Sequence, residues 1–156
     1  MAGSAAVRAW RLAGAAAAAV VVLDQATKQW AAHSIQRGAS ERFFLGIELT
    51  NVRNRGVAFG ALGGGGALVS ALTIAAVLLL AVYFARNTHK AGLWLPFGAV
   101  AGGALGNLAD RAREGAVTDF VDPILWPAFN LADVAIVVGV LGLLYVIEGP
   151  GRREPG

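Results

Sequence analysis

Residues Phe129 to Ile147 read FNLADVAIVVGVLGLLYVI, an apolar run interrupted by one acid, Asp133. The run is close to the roughly 20 residues that a helix needs to cross the hydrocarbon core of a membrane. A carboxylate costs free energy inside such a helix, so it normally faces a polar cavity and has a function. The alternative for Asp133 is a side chain that reaches the membrane surface or pairs with Arg111.

Three further apolar runs lie on the N-terminal side, and together the four occupy residues 10–30, 67–85, 91–109 and 129–147. The chain is 56% hydrophobic and 15% charged, whereas a soluble domain usually carries about 25% charged residues. We therefore predict an all-α membrane protein in which a bundle of four transmembrane helices forms one domain over residues 1–156.

The first apolar run also fits a cleaved signal peptide. Arg8 and Arg11 would form its basic region, and Leu12 to Leu23 its short apolar region. No convincing small-x-small cleavage motif follows, because Asp24 and Gln25 come immediately after. We therefore predict that this run is retained as a span; its cleavage would leave three spans.

The segment of residues 41–60 has the alternating pattern of a β-strand rather than that of a helix. Phe43, Leu45, Ile47 and Leu49 alternate there with Phe44, Gly46, Glu48 and Thr50. A turn and a second short strand fit Asn51 to Gly60, so we predict a small β-sheet that caps one side of the bundle. The glycines at 63–66 predict a flexible connector, and residues 149–156 a disordered tail.

One face of the third apolar run lacks side chains. Gly98, Gly102 and Gly106 recur there at four-residue spacing. Because this spacing lets helix backbones approach closely in a membrane, we predict a packing role for these glycines.

Nearly all the unusual polar residues fall at one membrane face when four spans alternate in direction. The set is Asp24, Lys28, Asn107, Asp110, Asp119, Asn130 and Asp133. Asp24 and Lys28 lie four residues apart on a helix, so we expect them to form a structural ion pair. Asp119 alone fits a solvated loop acid as well as a functional one. For Asp110, an ion pair with Arg111 is as consistent as a direct role.

The residue types exclude most routes to hydrolysis within a membrane. Cysteine is absent, and the two histidines, His33 and His89, fall near opposite faces. Neither a thiol nucleophile nor a zinc site is therefore expected, and we predict no metal and no cofactor. Two aspartates remain: a close pair shares one proton, activates a water and protonates the developing oxyanion. The basic residues are scattered, which argues against nucleic acid as a partner.

Five short motifs resemble those of the lipoprotein signal peptidase family, also called signal peptidase II. In chain order they are DQATK at 24–28, NVRNRGVAFG at 51–60, GNLADR at 106–111, GAVTDFVD at 115–122 and FNLAD at 129–133. Each motif alone is weak evidence. Five in the same order, with the same spans between them, are specific.

The resemblance implies that Asp119 and Asp133 are the catalytic pair of an aspartic endopeptidase. It further implies that the substrate site is lined or supported by Asp24, Lys28, Asn54, Gly56, Asn107, Asp110, Arg111 and Asn130. The implied fold has four transmembrane helices, a small extracytoplasmic sheet and a short helix in the loop between the third and fourth spans.

The implied reaction removes the signal peptide from prolipoproteins modified with diacylglyceryl-cysteine, by cleavage just before the lipidated cysteine. The expected partners are these precursors and membrane lipids, and we expect a monomer. The implied location is the bacterial plasma membrane, with the active site at the extracytoplasmic face and both termini in the cytoplasm. Charge does not decide the orientation, because basic residues are almost evenly divided between the two faces.

The main alternative is a small proton-coupled transporter or channel subunit that uses Asp133 as a relay. Such a protein would place polar residues through the depth of the membrane, whereas the second and third runs lack charge. A structural assembly factor would account for the glycines but not for the acids.

Overall fold

The computed structural model describes residues 2–56, 65–123 and 125–149. These residues form, in order, helix α1 (Ala2–Ser34), strands β1 (Ser40–Phe44) and β2 (Ile47–Asn54), helices α2 (Gly65–Arg86) and α3 (Trp94–Glu114), strand β3 (Val117–Pro123) and helix α4 (Leu131–Glu148). Residues 57–60 of the predicted strand segment, 63–64 of the predicted connector and 150–156 of the predicted tail lie outside the described residues.

Three of the described helices are long and apolar enough to cross a membrane. They are the segments 3–34 in α1, 66–86 in α2 and 131–148 in α4. Helix α3 has 21 residues, which corresponds to about 31 Å at 1.5 Å per residue. It is less apolar because it is rich in glycine and its last turns carry several charged residues.

Helix α3 packs mainly against α1 and α4, and less extensively against α2. A Cβ atom at Gly98 would lie 2.7 Å from the carbonyl oxygen of Ala13 in α1, and one at Gly102 would lie 2.6 Å from that of Ala17. The missing side chains therefore allow the two backbones to touch, which confirms the predicted packing role. Gly106 differs, because it faces a carboxylate of α1 rather than its backbone.

The apolar core lies at the end of the bundle away from the sheet. Phe84 and Phe97 stack with ring centroids 4.3 Å apart, and Trp10 meets the Phe84 ring edge-on at 4.8 Å. Leu93 and Leu143 belong to the same cluster. The other end of the bundle is thus free to hold polar side chains.

The three strands form one antiparallel sheet in the order β1-β2-β3. Leu45 and Gly46 both have positive φ, 36° and 83°, so they form the two-residue turn of a hairpin. The alternating stretch is therefore two short strands and not one. Strand alternation predicts the extended backbone but does not reveal a turn placed within it.

The sequence interpretation did not predict β3, and the short helix that it predicted between the third and fourth spans is not confirmed by the described residues. Among the described residues between α3 and α4, the chain instead forms a strand that pairs with β2. Residues 117–120 are all buried, so β3 lacks the alternation of a half-exposed strand. The β-branched and aromatic composition of Val117 to Val121 was the only local signal for it.

Candidate active site

Asp119 lies in β3 and is only 2% exposed. Its two carboxylate oxygens accept hydrogen bonds from two asparagine side chains. Asn54 Nδ2 donates to Oδ2 at 3.0 Å, and Asn130 Nδ2 donates to Oδ1 at 2.7 Å. The interpretation of Asp119 as a solvated loop acid is therefore wrong, because this acid stands in a buried strand and is held on both oxygens.

Asp133 lies in the first turn of α4 and takes part in a capping box with Asn130. The backbone N–H of Asn130 donates to Asp133 Oδ2 at 3.2 Å, and the N–H of Asp133 donates back to Asn130 Oδ1 at 3.1 Å. Asn107 Nδ2 donates to the other oxygen, Oδ1, at 2.8 Å. Asp133 is thus held by groups of the site on both oxygens; it is half-buried and has no described contact with Arg111.

Asn130 links the two aspartates. Its side-chain amide contacts Asp119, and its backbone N–H contacts Asp133. It is completely buried at the N-cap of α4, so its position is set by the start of that helix. The structure therefore brings together the two acids that the resemblance paired, although fourteen residues separate them in sequence.

The three asparagines of the site share one arrangement. Each amide oxygen accepts a hydrogen bond from a group that can only donate, so each amide nitrogen must point the other way, towards a carboxylate. Asn54 accepts from the backbone N–H of Gly56 at 2.8 Å, and Asn130 accepts from the backbone N–H of Asp133 at 3.1 Å. Asn107 accepts from the ammonium of Lys28 at 2.8 Å. The result is two side-chain donors for Asp119 and one for Asp133.

Lys28 is the centre of a buried polar cluster and is 4% exposed. Its Nζ lies 2.9 Å from Asp24 Oδ2 and 2.9 Å from Asp110 Oδ2. The predicted pair of Asp24 and Lys28 is confirmed. Asp110 pairs with Lys28 and with Arg113 at 3.1 Å, and no described contact joins it to Arg111, so that suggested pair is wrong.

The cluster fastens three helices together at the sheet end of the bundle. Asp24 Oδ1 accepts the N–H of Ala132 at 3.0 Å, which ties α1 to the first turn of α4. Asp110 Oδ2 accepts the N–H of Thr118 at 3.4 Å, which ties α3 to β3. The two elements that carry Asp119 and Asp133 are therefore both anchored to this cluster.

Gln25 is a member of the cluster that the sequence interpretation missed. Its Nε2 donates to Asp110 Oδ1 at 2.9 Å and to the carbonyl oxygen of Gly106 at 3.3 Å, and its Oε1 accepts from Arg113. The available signal was its place in the DQATK motif, as a second polar residue at the end of an apolar helix. A further ion pair, between Arg53 and Glu114, joins β2 to the end of α3.

Arg111 lies apart from both aspartates. It lines a cavity of about 470 Å³ between α2 and α3, together with Ser70, Ile74 and Leu108. Its Nε atom is buried and has no hydrogen-bond partner among the described residues. A second cavity, of about 300 Å³, opens beside Asp133 and is otherwise apolar, with Trp126, Phe129, Val134, Val137 and Val138 as its lining.

The environment of Asp119 favours its protonated form. Burial raises the pKa of Asp119 from 3.8 to about 6, and the negative charge of Asp133 acts in the same direction. The hydrogen bonds from Asn54 and Asn130, and the charge of Lys28, lower the pKa but do not cancel the effect of burial. One member of the pair is thus poised to hold a proton in mildly acidic conditions. The described residues contain no group of three or more acidic, histidine or cysteine side chains placed to hold a metal ion.

A family model described as Signal peptidase (SPase) II matches residues 16–148, which contain every residue of this site. The chain belongs to the signal peptidase II family. Two curated relatives, each named lipoprotein signal peptidase, agree. The protein of Syntrophomonas wolfei is 41% identical over 136 residues, covering 86% of this chain and 91% of the relative. That of Methylorubrum extorquens is 39% identical over 147 residues, covering 88% and 85%.

Two solved structures have the same fold as this signal peptidase II. Both are described as a bacterial membrane enzyme solved by the in meso method, at 2.3 Å and 1.9 Å resolution, and both are 28% identical in sequence. The first has a TM-score of 0.78 and covers 92% of each chain, and the second has a TM-score of 0.80 and covers 89% and 94%. The protein is accordingly a membrane peptidase, and the transporter alternative has no support.

Proposed function

We propose that this signal peptidase II is an aspartic endopeptidase that removes the signal peptide from diacylglyceryl-cysteine-modified prolipoproteins, cleaving just before the lipidated cysteine. The name shared by its relatives, lipoprotein signal peptidase, supports the substrate class. The aspartic chemistry rests on one observation: the carboxylates of Asp119 and Asp133 both accept hydrogen bonds from Asn130.

The two carboxylates perform general acid–base catalysis on a water. Asp119 is buried and faces the negative charge of Asp133, which disfavours ionisation of both acids at once, so the pair shares one proton. The ionised member takes a proton from the water as it attacks the scissile carbonyl, and the protonated member donates to the developing oxyanion. Each of the four carboxylate oxygens accepts one hydrogen bond from an asparagine. A second lone pair on each oxygen is therefore left for the water and the shared proton.

The surroundings of Asp133 suit a substrate that is anchored in lipid. Apart from Asp133, the cavity of about 300 Å³ next to α4 is lined by aromatic and valine side chains. A precursor held by its two acyl chains reaches the carboxylate through this apolar surface. Membrane anchoring then supplies much of the orientation that a soluble peptidase obtains from a cleft.

We also propose that α3 crosses the membrane, so that one domain spans it four times. Its length of about 31 Å and its packing between α1 and α4 support a fourth span. Four spans put both termini in the cytoplasm and the sheet at the extracytoplasmic face, the orientation that the family resemblance implies. The active unit is a monomer, because one chain supplies both aspartates and their described contacts.

The test is release of the signal peptide from a purified diacylglyceryl-modified precursor by the purified enzyme. We expect release by the wild type, loss of release in D119N and D133N, and retained release in D122N. Asp122 is the matched control, because it lies in the same strand three residues from Asp119 and belongs to neither the pair nor its contacts. Turnover at the wild-type rate by a folded D119N or D133N variant would contradict the aspartic mechanism.

A further inference from the structure

We propose that Lys28 is a positioning residue for the reaction: it fixes the orientation of the Asn107 amide, and through it the hydrogen bond that Asn107 donates to Asp133. This proposal rests on the proposed function, since it takes Asp133 as a member of the catalytic pair. Lys28 has no described hydrogen bond or ion pair with Asp119 or Asp133. Its charge lowers the pKa of Asp119, and its contact with the pair runs through Asn107.

The geometry around Lys28 leaves its ammonium no freedom. The group has three protons and three acceptors within 2.9 Å, namely Asp24 Oδ2, Asp110 Oδ2 and Asn107 Oδ1. An ammonium has no lone pair and cannot accept a hydrogen bond. Only the oxygen of the Asn107 amide can therefore face Lys28, and the NH₂ group is directed at Asp133.

The opposite orientation of Asn107 would set two acceptors against each other. Its oxygen would then face Asp133 Oδ1, and a carboxylate offers no proton for that contact. Asp133 would lose its only side-chain donor among the described contacts and keep only the backbone N–H of Asn130. Lys28 therefore selects the arrangement in which Asp133 receives a hydrogen bond on each oxygen.

Lys28 differs from the other groups that orient an amide in this site. Asn54 and Asn130 are held by backbone N–H groups, which no side-chain substitution removes. Asn107 is held by a side chain, so its orientation can be tested by mutation. Without Lys28 the amide is free to rotate, and we expect the rate of the chemical step to fall while substrate binding is unchanged.

A purely structural role for Lys28 is the alternative that the test must separate. The residue joins α1 to α3 through Asp110, and Asp24 in turn holds the first turn of α4 through Ala132. Removing the ammonium alone would leave the buried Asp24 without a cation and Asp110 with only the exposed Arg113, and such a variant is expected to be unstable. The test is therefore made in the D110N background, where K28M restores the net charge of −1 that Asp24, Lys28 and Asp110 have together in the wild type.

The experiment is a double-mutant cycle in D110N that combines K28M and N107L, read as kcat and KM on the lipidated precursor. We expect K28M and N107L each to lower kcat by about 10- to 100-fold, the range for one hydrogen bond to a charged group, with little change in KM. Because Lys28 acts through Asn107, the combination should lower kcat no further than the stronger single change. Effects that multiply, or a K28M kcat equal to that of the D110N background, would overturn the proposal.

N107D tests the same link with Lys28 in place. An aspartate at this position keeps an oxygen for the ammonium but has no NH₂ group for Asp133, so we expect a folded enzyme with a lower kcat. A wild-type kcat in N107D would contradict the proposal even if the K28M variants do not fold. R113Q is the control, since it removes an exposed cation from the edge of the same cluster and should leave kcat within about twofold, as exposed ion pairs contribute little.

The wild-type enzyme in the same assay tests the proposed function separately. No release of signal peptide from the lipidated precursor contradicts the proposed function, and the role of Lys28 with it. A different outcome contradicts only the role of Lys28. In that case D133N abolishes release, but the reductions in kcat caused by K28M and N107L multiply when the two are combined.

Discussion

Asp119 and Asp133 are held by different parts of the chain. Asp119 stands in a strand and receives two side-chain amides, whereas Asp133 stands at a helix start and receives one side-chain amide and one backbone N–H. In all three asparagines the amide is oriented by a donor on the side away from the acid. Single residues therefore determine which groups donate to the pair.

The first prediction at this scale concerns the pH dependence of stability. The pKa of Asp119 is about 6 in the folded protein against 3.8 for the ordinary group, so between these values the folded state keeps a proton that the unfolded chain has released. Stability then falls as pH rises through this range. We expect the wild type to lose about 3 kcal/mol relative to D119N between about pH 3 and pH 7, measured by unfolding in detergent.

The comparison with D119N cancels the other titrating groups, which both proteins share. The variant also sets its NH₂ group against one of the two asparagine donors, but that penalty is independent of pH. A constant stability difference from pH 4 to pH 7 would show that burial does not shift the titration of Asp119.

The second prediction concerns Gly56, whose N–H orients Asn54. Its φ is +78°, a conformation that costs an L-residue roughly 1–2 kcal/mol. We expect G56A to lower both the melting temperature and kcat, because a shifted N–H no longer directs the Asn54 amide at Asp119. Thermal unfolding and turnover of the precursor measure the two effects.

The matched control is G38A. Gly38 has nearly the same φ, +79°, and a Cβ there would meet nothing within 4 Å. It lies in the connection between α1 and β1 and has no contact with either aspartate. We expect a similar loss of stability with unchanged kcat; an equal loss of kcat in both variants would refute the link between Gly56 and Asn54.

At the scale of elements, α3 organises the site by touching its neighbours on two faces. One face meets α1 at Gly98 and Gly102, and the other meets α4 at Gly103. Between these contacts Gly106 leaves room for the carboxylate of Asp24. The same helix can therefore carry Asn107 to Asp133 and Asp110 to Lys28.

The third prediction tests this close approach. A Cβ at Gly106 would lie 2.5 Å from Asp24 Oδ2, so G106A must displace a carboxylate that is bound to Lys28 and to the N–H of Ala132. We expect a loss of about 1–3 kcal/mol, typical of overpacking, together with reduced turnover. Thermal unfolding in detergent and the precursor assay measure the two quantities.

G14A is the control for that change. Gly14 is also in a helix, α1, but a Cβ there would meet nothing within 4 Å. Alanine should be neutral or stabilise the helix by up to about 1 kcal/mol. Equal destabilisation by both substitutions would mean that helix propensity, and not the contact with Asp24, limits position 106.

For the whole molecule, the number of spans decides where the site and the termini lie. Three helices meet the length and hydropathy of a span, and α3 has the length with a lower hydropathy. Helices α1 and α4 each have one end that is remote from the site. With three spans these two ends would lie on opposite sides of the membrane, and with four spans they lie on the same side, as we propose.

The fourth prediction tests this topology by labelling. The chain contains no cysteine, so E41C, H89C and E148C each introduce a single exposed thiol. In oriented membranes we expect an impermeant maleimide to label E41C from the extracytoplasmic side, and H89C and E148C only after permeabilisation. If E148C is labelled from the extracytoplasmic side while H89C is labelled only after permeabilisation, α3 does not cross the membrane.

Local patterns were sufficient for the helices, for the packing face of α3 and for the pair of Asp24 and Lys28, because contacts within a helix and its hydropathy repeat over only a few residues. The family motifs pointed to the site residues but carried no information on their contacts. Strand β3 was missed because its first four residues are all buried and because it pairs with residues far earlier in the chain.

The arrangement of the site comes from the tertiary structure alone. Asn54 lies 65 residues from Asp119, Lys28 lies 79 residues from Asn107, and Asn107 lies 26 residues from Asp133. No periodicity of strand or helix reaches over such distances. The bond from Asn54 requires β2 and β3 to pair, and the other two require the glycine face of α3 to bring the helices together. Burial of Asp119 then makes its protonation depend on the neighbours that packing supplies.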